Sequence, residues 1–190
     1  MESTPYIKNI VYVAPQPGWS FPLHSHQNTC ELSLVTGGQG YFYALNKDRL
    51  VKKGMLVVKN PGLSHSERSD PQHPLEQICI EVGGVHTDGL DDNFVLPDYM
   101  DPVIELGAEY DVMNAAFGYL MNNYKDPARQ VVCIKLLEAA LQIVHNCVLS
   151  YTPPREKKTK SKKELVSEAI NYLDQYFLCK YLLISSFYFL

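Results

Sequence analysis

Three histidines and one glutamate are spaced so that they could hold a single ligand. His24 and His26 are two residues apart, and on an extended strand such residues project from the same face. Glu31 begins the next strand after a four-residue connection, so its carboxylate can converge on the same point. His65 follows the turn Asn60-Pro61-Gly62, at the end of another strand, and supplies a third imidazole. Imidazole nitrogens and a carboxylate oxygen suit a first-row divalent ion such as Zn, Ni, Fe, Mn or Cu. Without an ion, the same polar groups can contact the hydroxyls of a small molecule. The two readings are compatible, and neither ion nor cofactor is assigned as certain. Trp19, Phe21, Tyr41 and Tyr43 flank these residues. Trp and Tyr faces stack on sugar rings while their polar ends hydrogen-bond, which makes Trp19, Tyr41 and Tyr43 candidate contacts for a bound small molecule; packing in the core is the competing role for each. Alternation puts Tyr41 and Tyr43 on one face and Phe42 on the other. Glu67, Arg68 and Asp70 follow His65 and read as solvated turn residues, with a ligand contact by one of them as the alternative; His73, His86 and His145 read as surface or packing residues. No catalytic residue is assigned.

The elements that must position these groups read as β up to about residue 106. Short apolar or alternating runs at Ile7–Val13, Glu31–Val35, Tyr41–Leu45, Arg49–Val51, Met55–Val58, Gln77–Val82 and Val103–Leu106 are separated by Gly, Pro and Asn, the punctuation of a sandwich or barrel. The period then changes. Tyr110, Met113, Phe117, Leu120 or Met121, and Tyr124 recur three or four apart, marking a helix over Glu109–Tyr124. Asp126-Pro127 caps and starts a second helix, Pro127–Leu149. Its stripe Ile134, Leu137, Leu141, Val144 and Val148 is widened by Val132, Leu136 and Ile143, an arc too broad for one neighbour. That stripe is the candidate dimerisation surface. Residues 151–163 (YTPPREKKTKSKK) form a basic linker, in which six of the last nine residues are Lys or Arg. One more helix is expected over Glu164–Phe177, followed by the apolar run Leu178–Leu190. That run falls short of the roughly 18 apolar residues of a membrane span.

Composition narrows the class. A chain of 190 residues with 46% hydrophobic and 20% charged residues is long enough for one buried domain and additional helices. A net charge of -4 argues against the body of the protein being a nucleic-acid surface. Cysteines 30, 79, 133, 147 and 179 are odd in number and irregularly spaced, and they read as buried reduced thiols of a cytoplasmic protein. The start, Met-Glu-Ser-Thr-Pro-Tyr, lacks the basic end and apolar core of a signal peptide, and no membrane partner is expected.

Gly18, His24, His26, Glu31 and Gly38 match every fixed position of the first cupin motif, G-x5-HxH-x4-E-x6-G. Gly54, Pro61-Gly62 and His65 resemble the second, although the proline is displaced and Ser69 stands in place of its asparagine. The phrase from His24 to Asp70 is similar to the N-terminal region of AraC-type transcription regulators. The likeness spans roughly residues 15–85, and the later helices follow in that family's order. It implies a mainly β fold with C-terminal helices: a cupin (double-stranded β-helix, jelly-roll) barrel and an antiparallel helix pair. The implied organisation is an effector-binding barrel over 1–107, dimerisation helices over 108–150, the linker, and over 164–190 the first helix of a truncated helix-turn-helix domain with an atypical tail. On this reading the chain is not an enzyme. It is the ligand-sensing and dimerising region of a homodimeric regulator, its effector a small molecule with carbohydrate as a candidate, and DNA is bound only through a C-terminal domain of the parent protein. The alternative is a small metal-dependent cupin enzyme, an isomerase or dioxygenase, with His24, His26, Glu31 and His65 as ligands. A plain sugar-binding module without regulatory output is a third reading.

Overall fold

The computed structural model describes residues 4–151 and Val166. The linker beyond Tyr151, the expected helix over 164–177 other than Val166, and the apolar run 178–190 lie outside the described residues. Among the described residues the strands are β1 (Tyr6–Val13), β2 (Ser20–His24), β3 (Cys30–Gly37), β4 (Gln39–Ala44), β5 (Lys47–Lys52), β6 (Met55–Lys59), β7 (His65–Ser69), β8 (Glu76–Gly83) and β9 (Val103–Glu105). They pair antiparallel in two sheets, ordered β1-β8-β3-β6-β9 and β2-β7-β4-β5. The chain crosses between the sheets at most of its connections, which winds it into the expected double-stranded β-helix.

Alternation along the strands divides the interior into two regions. On the larger sheet Leu32, Leu34, Leu56, Val58, Ile78, Ile80 and Val82 share one face and form a core with the helices. On the opposite face of the same strands lie Glu31, Ser33, Lys59, Cys79 and Glu81, with Glu31 directly across from both Lys59 and Glu81. Part of the barrel interior is apolar, filled by Val35, Phe42, Ala44, Val51, Val57 and Leu75. The remainder is polar and carries the candidate site.

The helices run where the three-four periodicity places them, α1 at Tyr110–Asn123 and α2 at Gln130–Ser150. Met113, Ala116, Phe117 and Leu120 of α1 are buried, as are Cys133, Leu137, Ala140 and Val144 of α2. A 3-10 turn, Pro127–Arg129, leads into α2, and the Asp126 side chain accepts from the Ala128 backbone N–H. Asp126→Ala is expected to destabilise the fold by about 1 kcal/mol, the usual cost of a lost N-cap, measurable by urea unfolding. Pro127–Ser150 is long and apolar enough to cross a membrane by length and composition, yet its buried line belongs to the core beneath the larger sheet. Cys30, Cys79 and Cys133 are buried free thiols and Cys147 is partly buried and free, while Cys179 lies outside the described residues.

Two strands differ from the sequence reading. β2 ends at His24, although both His24 and His26 were expected on one strand, and β7 starts at His65 where a strand was expected to end. Both are rich in polar or aromatic residues (SFPLH and HSERS), so no apolar alternation marks them.

Candidate functional site

Each histidine of the cluster reaches the barrel interior by a different route. His24 is the last residue of β2 and stands opposite His65, the first residue of β7. His26 lies just past the end of β2, and its carbonyl accepts from the Gly62 N–H at 2.7 Å. Gly62 sits in the left-handed region (φ +78°), which lets the Asn60–Leu63 turn close against the His24–His26 segment. The result is the convergence expected from the sequence, although only His24 is on the strand. The ring nitrogens of His24, His26 and His65 lie within 4.8 Å of one another.

The tautomers follow from the backbone. His24 Nδ1 is 2.9 Å from the Pro22 carbonyl and His65 Nδ1 is 2.8 Å from the Leu63 carbonyl. A carbonyl only accepts, so each Nδ1 carries a proton, and in the neutral ring Nε2 presents the lone pair. His65 is fully buried, and its Nε2 has no hydrogen-bond partner. Burial and the nearby Lys59 ammonium push its pKa down to about 4, which keeps the ring neutral. His26 Nε2 is 3.0 Å from Glu31 Oε2, yet the two are not aligned as a hydrogen bond. The Glu31 carboxylate still holds the His26 imidazole above its ordinary pKa, against the pull of burial.

Lys59 was not among the sequence candidates, yet it is the centre of the polar interior. Its side chain is 1% exposed, and Nζ donates to Glu31 Oε1 at 2.6 Å and to Ser33 Oγ at 2.9 Å and pairs with Glu67 Oε1 at 2.8 Å. Three protons meet three acceptors, so the ammonium is saturated. Ser33 Oγ in turn donates to Glu31 Oε1 at 2.9 Å, and Gln77 Nε2 donates to Glu67 Oε2 at 2.8 Å. Burial alone would raise the Glu31 pKa; Lys59 and His26 override it and hold the carboxyl well below its usual range. The same carboxylates hold Lys59 charged despite its burial. Glu67, expected as a solvated turn residue, is buried in this network instead. A lysine ending the apolar run Met-Leu-Val-Val-Lys reads as a solvated strand end, and only the pairing of Glu31 with Lys59 across β3 and β6 reveals its role.

The donor set fits a divalent ion. Two imidazole lone pairs and the unaligned His26 Nε2 converge with Glu31 Oε2 beside them, and one buried nitrogen lacks any partner. Glu31 has one oxygen committed to Lys59 and Ser33 and the other turned toward His26, so it can offer an ion a single oxygen.

A cavity of about 400 Å³ opens over this cluster. Trp19, Phe21, His24, His26, Glu31 and Lys59 contribute to its wall, and the β1 residues Asn9, Val11, Tyr12 and Val13 line its other side. Tyr41 and Tyr43 do not reach it. They do share a face, as alternation requires, but it is the outer face: Tyr41 lies under the Arg68 guanidinium at 4.1 Å, and the Tyr43 hydroxyl bonds Asn46 at 3.3 Å. Phe42, between them, is the residue that points inward, 5.8 Å from the His65 ring. The two-residue turn at Leu45-Asn46, both left-handed, sets this register. Larger clefts of about 640 and 460 Å³ lie elsewhere, the first lined mainly by apolar residues and including Tyr43, but neither touches His24, His26, Glu31 or Lys59.

The proposed dimerisation stripe is divided by the fold. Leu137 and Val144 are in the chain's own core, and Leu141 and Val148 are partly buried against it. Ile134 is partly covered, near Tyr6 and Ile7. Val131 and Val132 are exposed.

Residues 8–95 match the family model described as the AraC-like ligand binding domain. No curated protein matched the chain. Among solved structures it is similar to a predicted oxalate decarboxylase from Thermotoga maritima, with 26% identity over 40% of this chain and 66% of that one and a TM-score of 0.36. A cupin protein from Bacteroides fragilis shares 20% identity over 43% of this chain and 66% of its own, with a TM-score of 0.34. A cupin-like protein from Thermotoga maritima shares 30% identity over 38% and 54%, with a TM-score of 0.35. The chain covers less than two-thirds of each of these.

Proposed function

We propose that this chain, whose residues 8–95 match the model of the AraC-like ligand binding domain, senses a small polar effector in the cavity above the histidine cluster and passes that event to the helices. The observation that carries the proposal is the cavity itself: one wall is the buried polar cluster with Trp19 and Phe21, the other is the N-terminal strand. Its size suits a monosaccharide-scale ligand, with an aromatic face at Trp19 for a sugar ring and acceptors at His24 and Glu31 for its hydroxyls.

Sensing requires different ligand affinities in two states. In the proposed mechanism the effector favours one placement of β1 and of α2 in a homodimer, and so re-spaces the DNA-binding domains of a longer parent protein. Since Leu137 and Val144 are internal, the partner contacts fall to Ile134, Leu141 and Val148 together with the exposed Val131 and Val132. The proposed location is the cytoplasm. Small-angle scattering with and without a tightly bound effector tests the mechanism. A change in dimer dimensions is expected; identical dimensions at saturation would sink it.

The convergence of three imidazoles favours a second reading, a metal-dependent enzyme. An ion held by His24, His26, His65 and Glu31 would supply Lewis-acid chemistry to a bound oxygen. Elemental analysis of protein purified without an affinity tag separates the two. A stoichiometric ion together with turnover of a small carboxylate or sugar would replace the sensor reading. An ion that supports ligand binding without turnover is compatible with it.

A further inference from the structure

Lys59 sits in an unusual place for a cation. It is buried beside a cluster whose converging lone pairs suit another cation, and it takes one oxygen of the carboxylate that would serve that ion. Left alone, the ammonium would repel a divalent ion. Glu67 answers it: its Oε1 is 2.8 Å from Nζ, and its other oxygen is fixed by Gln77. Lys59, Glu31 and Glu67 together carry one ammonium against two carboxylates, one net negative charge facing the imidazoles. Neither Lys59 nor Glu67 belongs to the histidine and glutamate pattern that marks the cluster in the sequence.

We infer that Lys59 and Glu67 are positioning residues that set the cluster's affinity for a divalent ion through charge, Lys59 lowering it and Glu67 restoring it. The inference rests on the ion-binding reading of the same site. Glu67→Gln leaves Lys59 compensated by Glu31 alone, so an arriving ion meets a neutral network in place of a negative one. Lys59→Met leaves two carboxylates and no ammonium, and the ion meets a more negative one. The two substitutions therefore shift affinity in opposite directions, which loss of a structural contact cannot do.

The test is calorimetric titration of Zn²⁺ into the chelator-treated full chain at constant ionic strength, with Co²⁺ absorption as a check on coordination geometry. Glu67→Gln is expected to weaken Zn²⁺ binding roughly ten- to hundredfold, the usual range for residues that act on a metal through its ligands. Glu67→Asp, which keeps the charge, is expected to recover most of that loss. Lys59→Met is expected to bind more tightly than wild type. Weakening in both Lys59→Met and Glu67→Gln overturns the inference while leaving the ion site standing. Absence of Zn²⁺ binding by wild type overturns the ion site and the inference with it. If Glu67→Gln fails to fold, Lys59→Met decides by sign: tighter binding supports the inference, and equal or weaker binding overturns it.

Discussion

Replacing Gly38 by alanine is expected to destabilise the fold by at least about 3 kcal/mol and to lower its melting temperature by roughly 6–12 °C. Gly38 has φ +59°, a conformation that costs a residue with a Cβ about 1–2 kcal/mol. The larger problem is space. A Cβ built there would overlap the Pro74 carbonyl oxygen and crowd the His73 carbonyl. Both obstacles are backbone, so no side chain can swing away to relieve them, and forced overpacking adds about 1–3 kcal/mol. The His73 carbonyl also accepts from the Gln39 N–H at 3.0 Å, a bond that relaxation would break. Urea unfolding checks the value. A loss below about 1 kcal/mol would mean that the loop before β8 moves freely, contrary to this account.

The second large effect is acid lability centred on His65. Its pKa is about 4 in the folded, ion-free protein against an ordinary 6.5, so the unfolded chain binds the proton more readily. The contribution is fully present above pH 6.5, is lost as pH falls toward 4, and amounts to about 3 kcal/mol. Glu31, held below its usual range, adds loss of the same sign as pH falls below 4.5. His26 acts in the opposite sense, because its pKa is raised and it gains the proton more readily in the fold. Stability of chelator-treated protein, measured by urea unfolding from pH 7.5 to 4.5, should fall with a slope that His65→Asn reduces. A slope unchanged in His65→Asn would place the acid lability elsewhere.

The sequence made the ligand cluster legible because its residues recur in a fixed pattern of polar types among turn residues. His24, His26, Glu31 and His65 all arrive at one site as that pattern requires. The helices were legible from periodicity, and Asp126-Pro127 from capping chemistry. Pairing across strands was not legible. Lys59 acquires its role only when β6 lies beside β3, and Glu67 only when β7 of one sheet faces Lys59 and Gln77 of the other. Tyr41 and Tyr43 show the same limit in another form. Alternation groups residues by face but does not say which face is inside, and here the smaller Gly40, Phe42 and Ala44 face took the interior. Leu137 and Val144 likewise belong to an apolar arc whose inner and outer halves look alike until the sheet covers one of them.

Trp19 is the only tryptophan in the chain and lines the cavity, so its emission reports directly on the proposed effector site. The decisive measurement is a fluorescence titration of the protein, with and without Zn²⁺, against a panel of neutral monosaccharides and small polar metabolites. The account predicts that at least one compound gives a saturable change in Trp19 emission, with a midpoint weakened about tenfold or more by His24→Ala or Glu31→Gln, as expected when a buried polar contact is lost. A compound that binds by calorimetry yet leaves Trp19 emission unchanged, or binds equally well to both variants, would contradict it.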